Sequence, residues 1–184
     1  SRSFVRELFE GDFDLELIHP FPEPDPADLA RAKPFMERLE KFMRDKVDSD
    51  KIDREGKIPP EIIEELRQMG AFGIKIAPEY GGMGLGHVAM AAVAAEAAKS
   101  RFGPFAMNAQ APDEGNMHTL LHWATDEQKE KYLRPLCEGM AMSCFAMTEP
   151  KVASSDATNI ESSIVRDGDD YVVNGHKWYT TNAT

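Results

Sequence analysis

The chain has 184 residues, 32 of them acidic and 21 basic, for a formal net charge of −11. That length suffices for one ordinary domain, or one domain and part of another, around a sizeable core, and the acidic balance excludes a nucleic-acid surface, which needs a basic stripe to neutralise phosphates. No apolar run approaches the roughly 20 residues that span a bilayer, and residues 1–17 mix Arg, Asp and Glu, so a soluble protein with no membrane partner is expected.

From Pro20 to Pro26 every second residue is proline. Proline fixes φ and removes amide donors, so 1–26 reads as an extended, proline-rich lead-in to a helical domain over 27–143. Asp25 can cap and Pro26 can open a helix that carries Phe35, Met36, Leu39, Phe42, Met43 and Val47 at helical spacing, with Pro34 expected to kink or restart it. Pro59-Pro60 with Glu61 opens a short amphipathic helix bearing Ile62, Ile63, Leu66 and Met69 and stopping at Gly70. Residues 73–86 are too rich in glycine and proline for regular structure and read as a long, shaped loop, followed by an alanine-rich, closely packed helix over 87–100. Asp113 to Trp123 is a further helix with Met117, Leu120 and Leu121 as its apolar positions. Thr125-Asp126-Glu127-Gln128 has the form of a capping box and opens the last helix, with Tyr132, Leu133 and Leu136 on one face and Gly139 at its end.

Residues 144–184 change character. Ile160, Ser162 and Ile164 alternate with Glu161, Ser163 and Val165, Asp167-Gly168-Asp169-Asp170 turns the chain, Tyr171-Val172-Val173 runs back, and Asn174-Gly175 turns again toward a third strand. Two or three strands make no independently stable domain. The expected fold is therefore mainly α with a β segment: a helical domain followed by the start of an incomplete β domain.

Several familiar motifs fail on context. Gly84-Leu85-Gly86-His87-Val88-Ala89 matches G-x-G-x-x-A, but helices rather than a strand precede it, so a loop shaping a groove wall is expected. His118 and His122 share a helix face, yet no Glu follows His118 and no third ligand is near, so solvated or hydrogen-bonded histidines and no metal are expected. Cys137 and Cys144 sit at neither metal nor redox spacing and read as buried, inert thiols in a reducing compartment. No G-x-S-x-G elbow surrounds Ser154 or Ser155, so a nucleophilic serine is not expected, while their hydroxyls and amides suit phosphate oxygens.

Two clusters remain: Phe145-Ala146-Met147-Thr148-Glu149-Pro150-Lys151-Val152-Ala153-Ser154-Ser155-Asp156, and Asn174-Gly175-His176-Lys177-Trp178-Tyr179-Thr180-Thr181. Each sets hydroxyls beside large apolar side chains, which suits a flat, polar-edged cofactor. A flavin ring needs apolar contact on its faces and hydrogen-bond partners along its polar edge, because stranding those atoms costs on the order of 1–3 kcal/mol each. Thr148 and Thr181 can serve that edge, Met147, Trp178 and Tyr179 the walls, and Ser154-Ser155 a diphosphate. The same residue types also decorate ordinary strands.

These two segments resemble the flavin-contact segments of the acyl-CoA dehydrogenases. Glu79-Tyr80-Gly81-Gly82-Met83-Gly84-Leu85 is similar to the family's loop in the helical domain, and Thr125-Asp126-Glu127-Gln128-Lys129, Lys131-Tyr132-Leu133 and Glu138-Gly139 to its helix leading into the middle domain. The resemblance implies an N-terminal orthogonal helical bundle, the first strands of an antiparallel β-barrel, a C-terminal four-helix domain outside this sequence, and FAD between them. It implies that Phe145, Met147 and Thr148 lie along the flavin ring, with the Thr148 hydroxyl at its pyrimidine end, Thr181 near N5, Trp178 and Tyr179 beside the ring, and Ser154 or Ser155 on the diphosphate or, for Ser155, on the acyl-CoA.

In such enzymes a carboxylate removes the α-proton of the acyl thioester while a hydride passes from the β-carbon to flavin N5, giving a trans-2-enoyl-CoA. The family's base belongs to the C-terminal domain, so the resemblance places no catalytic residue in this sequence, Glu149 is not nominated in its place, and these residues alone are expected to be inactive. It further implies an acyl-CoA substrate, an electron acceptor such as an electron-transfer flavoprotein, a homodimer or homotetramer, and a bacterial cytoplasm or a mitochondrial or peroxisomal matrix. The 151–156 loop is one residue longer than the family's usual turn and resembles that of large-substrate relatives, which implies a long or branched acyl chain. Tyr179 stands where tryptophan is usual and Ala183 where glycine is frequent. Rival readings are a flavin-dependent monooxygenase or oxidase of the same fold and a non-catalytic, truncated helical binding protein.

Overall fold

The computed structural model describes residues 2–21, 23, 25–107, 114–153 and 156–183. A short helix, α1 (Phe4–Glu10), lies in the segment expected to be extended. Local interactions form it: Arg6 pairs with Glu10 one turn on, Arg2 clamps Glu7, and Gly11 closes the end in the left-handed region at φ 95°.

α2 (Pro26–Lys46) begins as its sequence dictates, with the Asp25 carboxylate accepting from the Ala27 amide and Pro26 in the first turn. It runs through Pro34 without a break. Pro34 and Ala30, whose carbonyl loses its donor, both lie on the exposed face of the helix, while Ala32, Phe35, Leu39, Phe42 and Met43 are buried on the other. Besides α1, the sequence reading also missed α3 (Ser49–Glu55), capped by Asp48 and closed by Gly56, and the single turn α6 (Gly103–Ala106). Between them come α4 (Pro60–Met69), closed by Gly70, and α5 (His87–Ala97).

α5 packs along α2, where its small side chains Ala89, Val93 and Ala97 are buried against Leu39 and Met43 in the main core, joined by Ile62 and Leu66 of α4. The N-terminus of α5 has no cap of its own, since Gly86 carries no side chain. Asp28 of α2 supplies one, its Oδ2 accepting from the Gly86 amide at 2.7 Å.

A second core lies below, built from Ile76, Met117, Leu133, Leu136 and Cys137. It joins α7 (Asn116–Trp123) to a helical stretch over 126–137, here α8, made of Asp126–Gln128, a wider π-wound section Lys129–Leu133, and Arg134–Cys137. Both halves of the capping box form, with Gln128 N donating to Thr125 Oγ1 at 3.2 Å and Thr125 N to Gln128 Oε1 at 2.9 Å. The π section precedes Pro135, whose ring excludes a regular bond to the carbonyl four residues back. Asp113 lies outside the described residues; Glu114 and Gly115, in π-helical winding, lead directly into α7.

The loop over 73–86 folds back on itself through Met83 N to Gly73 O, Gly84 N to Ile76 O and Leu85 N to Ile74 O, at 3.0, 2.8 and 2.9 Å. It belongs to no strand, as its context required.

The β segment is one antiparallel hairpin, β1 (Ser163–Asp167) and β2 (Asp170–Asn174), in register Ser163 with Asn174 through Asp167 with Asp170. The two-residue turn Gly168-Asp169 has Gly168 at φ 63°, as a primed turn requires. Ile164, Val165, Tyr171, Val172 and Val173 are all exposed. The expected third meander strand does not pair with β2. Residues 177–181 instead run back beside 145–149.

Candidate functional site

Two backbone contacts bring the two clusters together. Phe145 N donates to Thr181 O at 3.2 Å in an isolated antiparallel bridge, and Trp178 N donates to Thr148 O at 3.0 Å. Both contacts fall in one register, so Met147 lies opposite Tyr179 and Glu149 opposite Lys177. In a regular antiparallel ladder, hydrogen-bonded pairs recur every second residue. Here they are three apart, and the irregularity falls where Tyr179 takes φ 48°, a left-handed value rare for a bulky residue.

The helical domain holds this pair from below. Asn116 of α7 donates through Nδ2 to Ser143 Oγ at 2.9 Å and Cys144 O at 3.2 Å, at the entry to the first cluster.

Phe145, Met147 and Trp178 are 40%, 37% and 42% exposed, so three large apolar side chains stand uncovered beside the paired segments. Tyr179 is 83% exposed and tilts against Trp178, with ring centroids 4.9 Å apart. Thr148 is half-buried and Thr181 exposed, and neither hydroxyl has a hydrogen-bond partner among the described residues. The amide of Thr148 also has no acceptor among them. Unpaired donors beside uncovered apolar surface are what a flat cofactor with a polar edge needs, and the residues present fit a flavin ring on that test. Ser154 and Ser155 lie outside the described residues. Just beyond them Asp156 binds Thr158 N, Thr158 Oγ1 and Asn159 Nδ2, which lowers its pKa.

The residues that sequence reasoning left without a role are Glu149 and Lys177. Glu149 is 4% exposed. Its Oε2 accepts from Glu161 N at 2.7 Å, and its Oε1 from Ser162 N at 2.9 Å and Lys177 Nζ at 2.8 Å. The same ammonium donates to Met147 O at 2.9 Å. Lys177, with Ser162 next, holds the Glu149 carboxyl down at about 2. A carboxylate so committed is no proton acceptor, consistent with leaving it out as the base. A Glu in the first cluster and a Lys in the second was the available signal.

His122 is exposed and Cys137 buried, as expected, whereas His118 and Cys144 depart from the expectation. His118 and His122 stack with centroids 6.2 Å apart, but His118 Nε2 is buried with no partner among the described residues, and burial, with Lys75 next, lowers its pKa. Cys137 is buried and its thiol is pushed up to about 11 by desolvation, whereas Cys144 is exposed. Among the described residues no helix is long and apolar enough to cross a membrane.

Residues 30–140 match the family model described as acyl-CoA dehydrogenase, N-terminal domain, and residues 144–184 the one described as acyl-CoA dehydrogenase, middle domain. Acyl-CoA dehydrogenase family member 11 of Homo sapiens is 46% identical over 136 residues, 72% of this chain and 17% of that protein. The protein named "Probable acyl-CoA dehydrogenase FadE10" of Mycobacterium tuberculosis is 38% identical over 181 residues, 98% of this chain and 28% of that protein. The crystal structure of the prolyl acyl carrier protein oxidase AnaB superposes with a TM-score of 0.71 at 30% identity, covering 83% of this chain and 41% of that one. The chain thus spans less than a third of the length of these curated relatives.

Proposed function

The chain belongs to the acyl-CoA dehydrogenase family, and we propose that it is the helical domain (27–143) and the opening β segment (144–184) of a flavoenzyme that converts an acyl-CoA thioester to its trans-2-enoyl-CoA. The observation that carries this reading is the pairing of 145–148 with 178–181, which gathers uncovered apolar side chains with two hydroxyls and an amide that have no partner among the described residues. FAD is the cofactor of the family and, when bound, supplies the acceptor for the β-hydride. Phe145, Met147 and Trp178 are the apolar contacts for its ring, with Tyr179 extending that surface. Thr148 and Thr181 serve its polar edge, and Ser154 and Ser155 its diphosphate, with Ser155 reaching the acyl-CoA.

Glu149 takes no proton in this scheme, because its two oxygens hold Lys177 and two backbone amides. The base that removes the α-proton is assigned to the part of the whole protein beyond these residues. The 151–156 loop favours a long or branched acyl chain, an electron-transfer flavoprotein is the acceptor, and the whole protein is a homodimer or homotetramer.

The test uses the protein with its natural downstream sequence. Its visible spectrum should show bound flavin, bleached by acyl-CoA under anaerobic conditions with formation of enoyl-CoA. A full-length protein that holds no flavin overturns the reading. The likeness to AnaB supports a second one, an oxidase of this fold. Rapid reoxidation of the reduced protein by air with stoichiometric peroxide would favour it.

A further inference from the structure

Met147 O is the carbonyl that a regular ladder would pair with Tyr179 N. No such bond forms, since the left-handed turn at Tyr179 carries that amide out of line. Lys177 Nζ takes the carbonyl instead, at 2.9 Å, while holding Glu149 Oε1 at 2.8 Å. Glu149 is itself pinned by the amides of Glu161 and Ser162, immediately before β1, so the ammonium is fixed at both its anchor and its target. The next peptide is fixed as well, because Trp178 N donates to Thr148 O at 3.0 Å.

The peptide groups on either side of Thr148 therefore have set planes. In a trans peptide the carbonyl and the amide hydrogen point in opposite directions. With Met147 O drawn to Lys177, the Thr148 N–H is turned to the other side, where it meets no acceptor among the described residues.

We propose that Lys177 and Glu149 are positioning residues: their half-buried ion pair orients the 147–148 peptide so that the Thr148 N–H and hydroxyl are presented together to a polar cofactor edge. This rests on the flavin reading above. A pair that served stability alone would have no need of the Met147 carbonyl. Breaking it would loosen the hairpin neck without a selective effect on ligand binding.

The experiment uses the full-length holoprotein. Lys177→Met keeps the length of the side chain, leaves Glu149 its two amide donors and frees the Met147 carbonyl. It should weaken FAD binding about tenfold, the scale of one lost hydrogen bond, and change the visible flavin spectrum. Lys177→Arg, which retains charge and donors, should recover most of both. In the wild type, hydrogen exchange at the Thr148 amide should slow on FAD loading by at least about tenfold, as for a newly bonded amide. Wild-type affinity and spectrum in Lys177→Met, or an unprotected Thr148 amide in flavin-loaded wild type, overturns the proposal. Should Lys177→Met fail to fold, the exchange measurement alone decides. A wild type that binds no FAD instead overturns the flavin reading itself.

Discussion

Gly82 passes so close to the Ile76 carbonyl that a Cβ on it would stand 2.0 Å from the Ile76 oxygen. The obstacle is backbone rather than a mobile side-chain tip, so it cannot swing aside. Gly82→Ala should destabilise the protein by about 2–3 kcal/mol, the usual cost of forcing an atom into packed space. Urea denaturation checks this, the midpoint falling while the slope is kept. Gly115→Ala is the control: Gly115 has φ −64° and a Cβ added there would meet none of the described residues within 4 Å, so a small gain of about 0.5 kcal/mol is expected.

Thr125 contributes to α8 through one hydroxyl. Thr125→Ala removes the acceptor for Gln128 N and strands that amide, with an expected loss of about 1 kcal/mol. Thr125→Ser keeps the acceptor and should stay close to wild type. Thermal unfolding of the pair distinguishes the cap from the loss of a methyl group.

Acid should find Glu149. Its folded pKa, about 2, lies below the ordinary value of 4.5. A depressed carboxylate contributes stability that is fully present above 4.5 and is lost as pH falls toward 2. Glu64, held at about 2 by Arg67, adds to the same window. Stability measured from about pH 6 to 2 should therefore fall less steeply in Glu149→Gln than in wild type. Parallel curves would contradict the committed carboxylate.

The two thiols should separate cleanly. Cys144 is exposed and should react with a disulfide reagent in the native protein, whereas buried Cys137, pushed up to about 11, should react only after unfolding. Replacing Cys144 by Ser should leave no rapidly titrating thiol.

Leu39 is fully buried at the centre of the main core. Leu39→Ala should cost about 2–5 kcal/mol, as expected for a truncated core leucine, again read from a denaturation midpoint.

Where the chain carried local signals, the fold was legible. Asp25-Pro26, Pro59-Pro60 with Gly70, and the Thr125 box each set a helix end through atoms within four residues of one another. α3 was missed because its seven residues bury only Ile52, too little for a period to register, although Asp48 and Gly56 bracket it. Pro34 misled because its effect depends on which face it occupies, and that face is set by packing of α2 on α5. The candidate site was legible as composition and resemblance but not as geometry. Thr148 and Trp178, or Met147 and Lys177, are thirty residues apart, and no local pattern announces that 177–181 will leave β2 to lie beside 145–149. The left-handed Tyr179 carries no sequence mark either, being neither glycine nor asparagine.

The Glu149–Lys177 pair also draws a boundary. Everything between them, β1 and β2 included, is an excursion closed at its neck by one half-buried ion pair and by the Trp178 to Thr148 bond. The tip at Gly168-Asp169 is exposed and distant in register from the neck. Because loop closure grows only slowly more costly with length, the excursion can be lengthened at its tip, or exchanged for another hairpin, while 145–148 and 178–181 stay aligned. The hairpin is a cassette, and the neck is its socket.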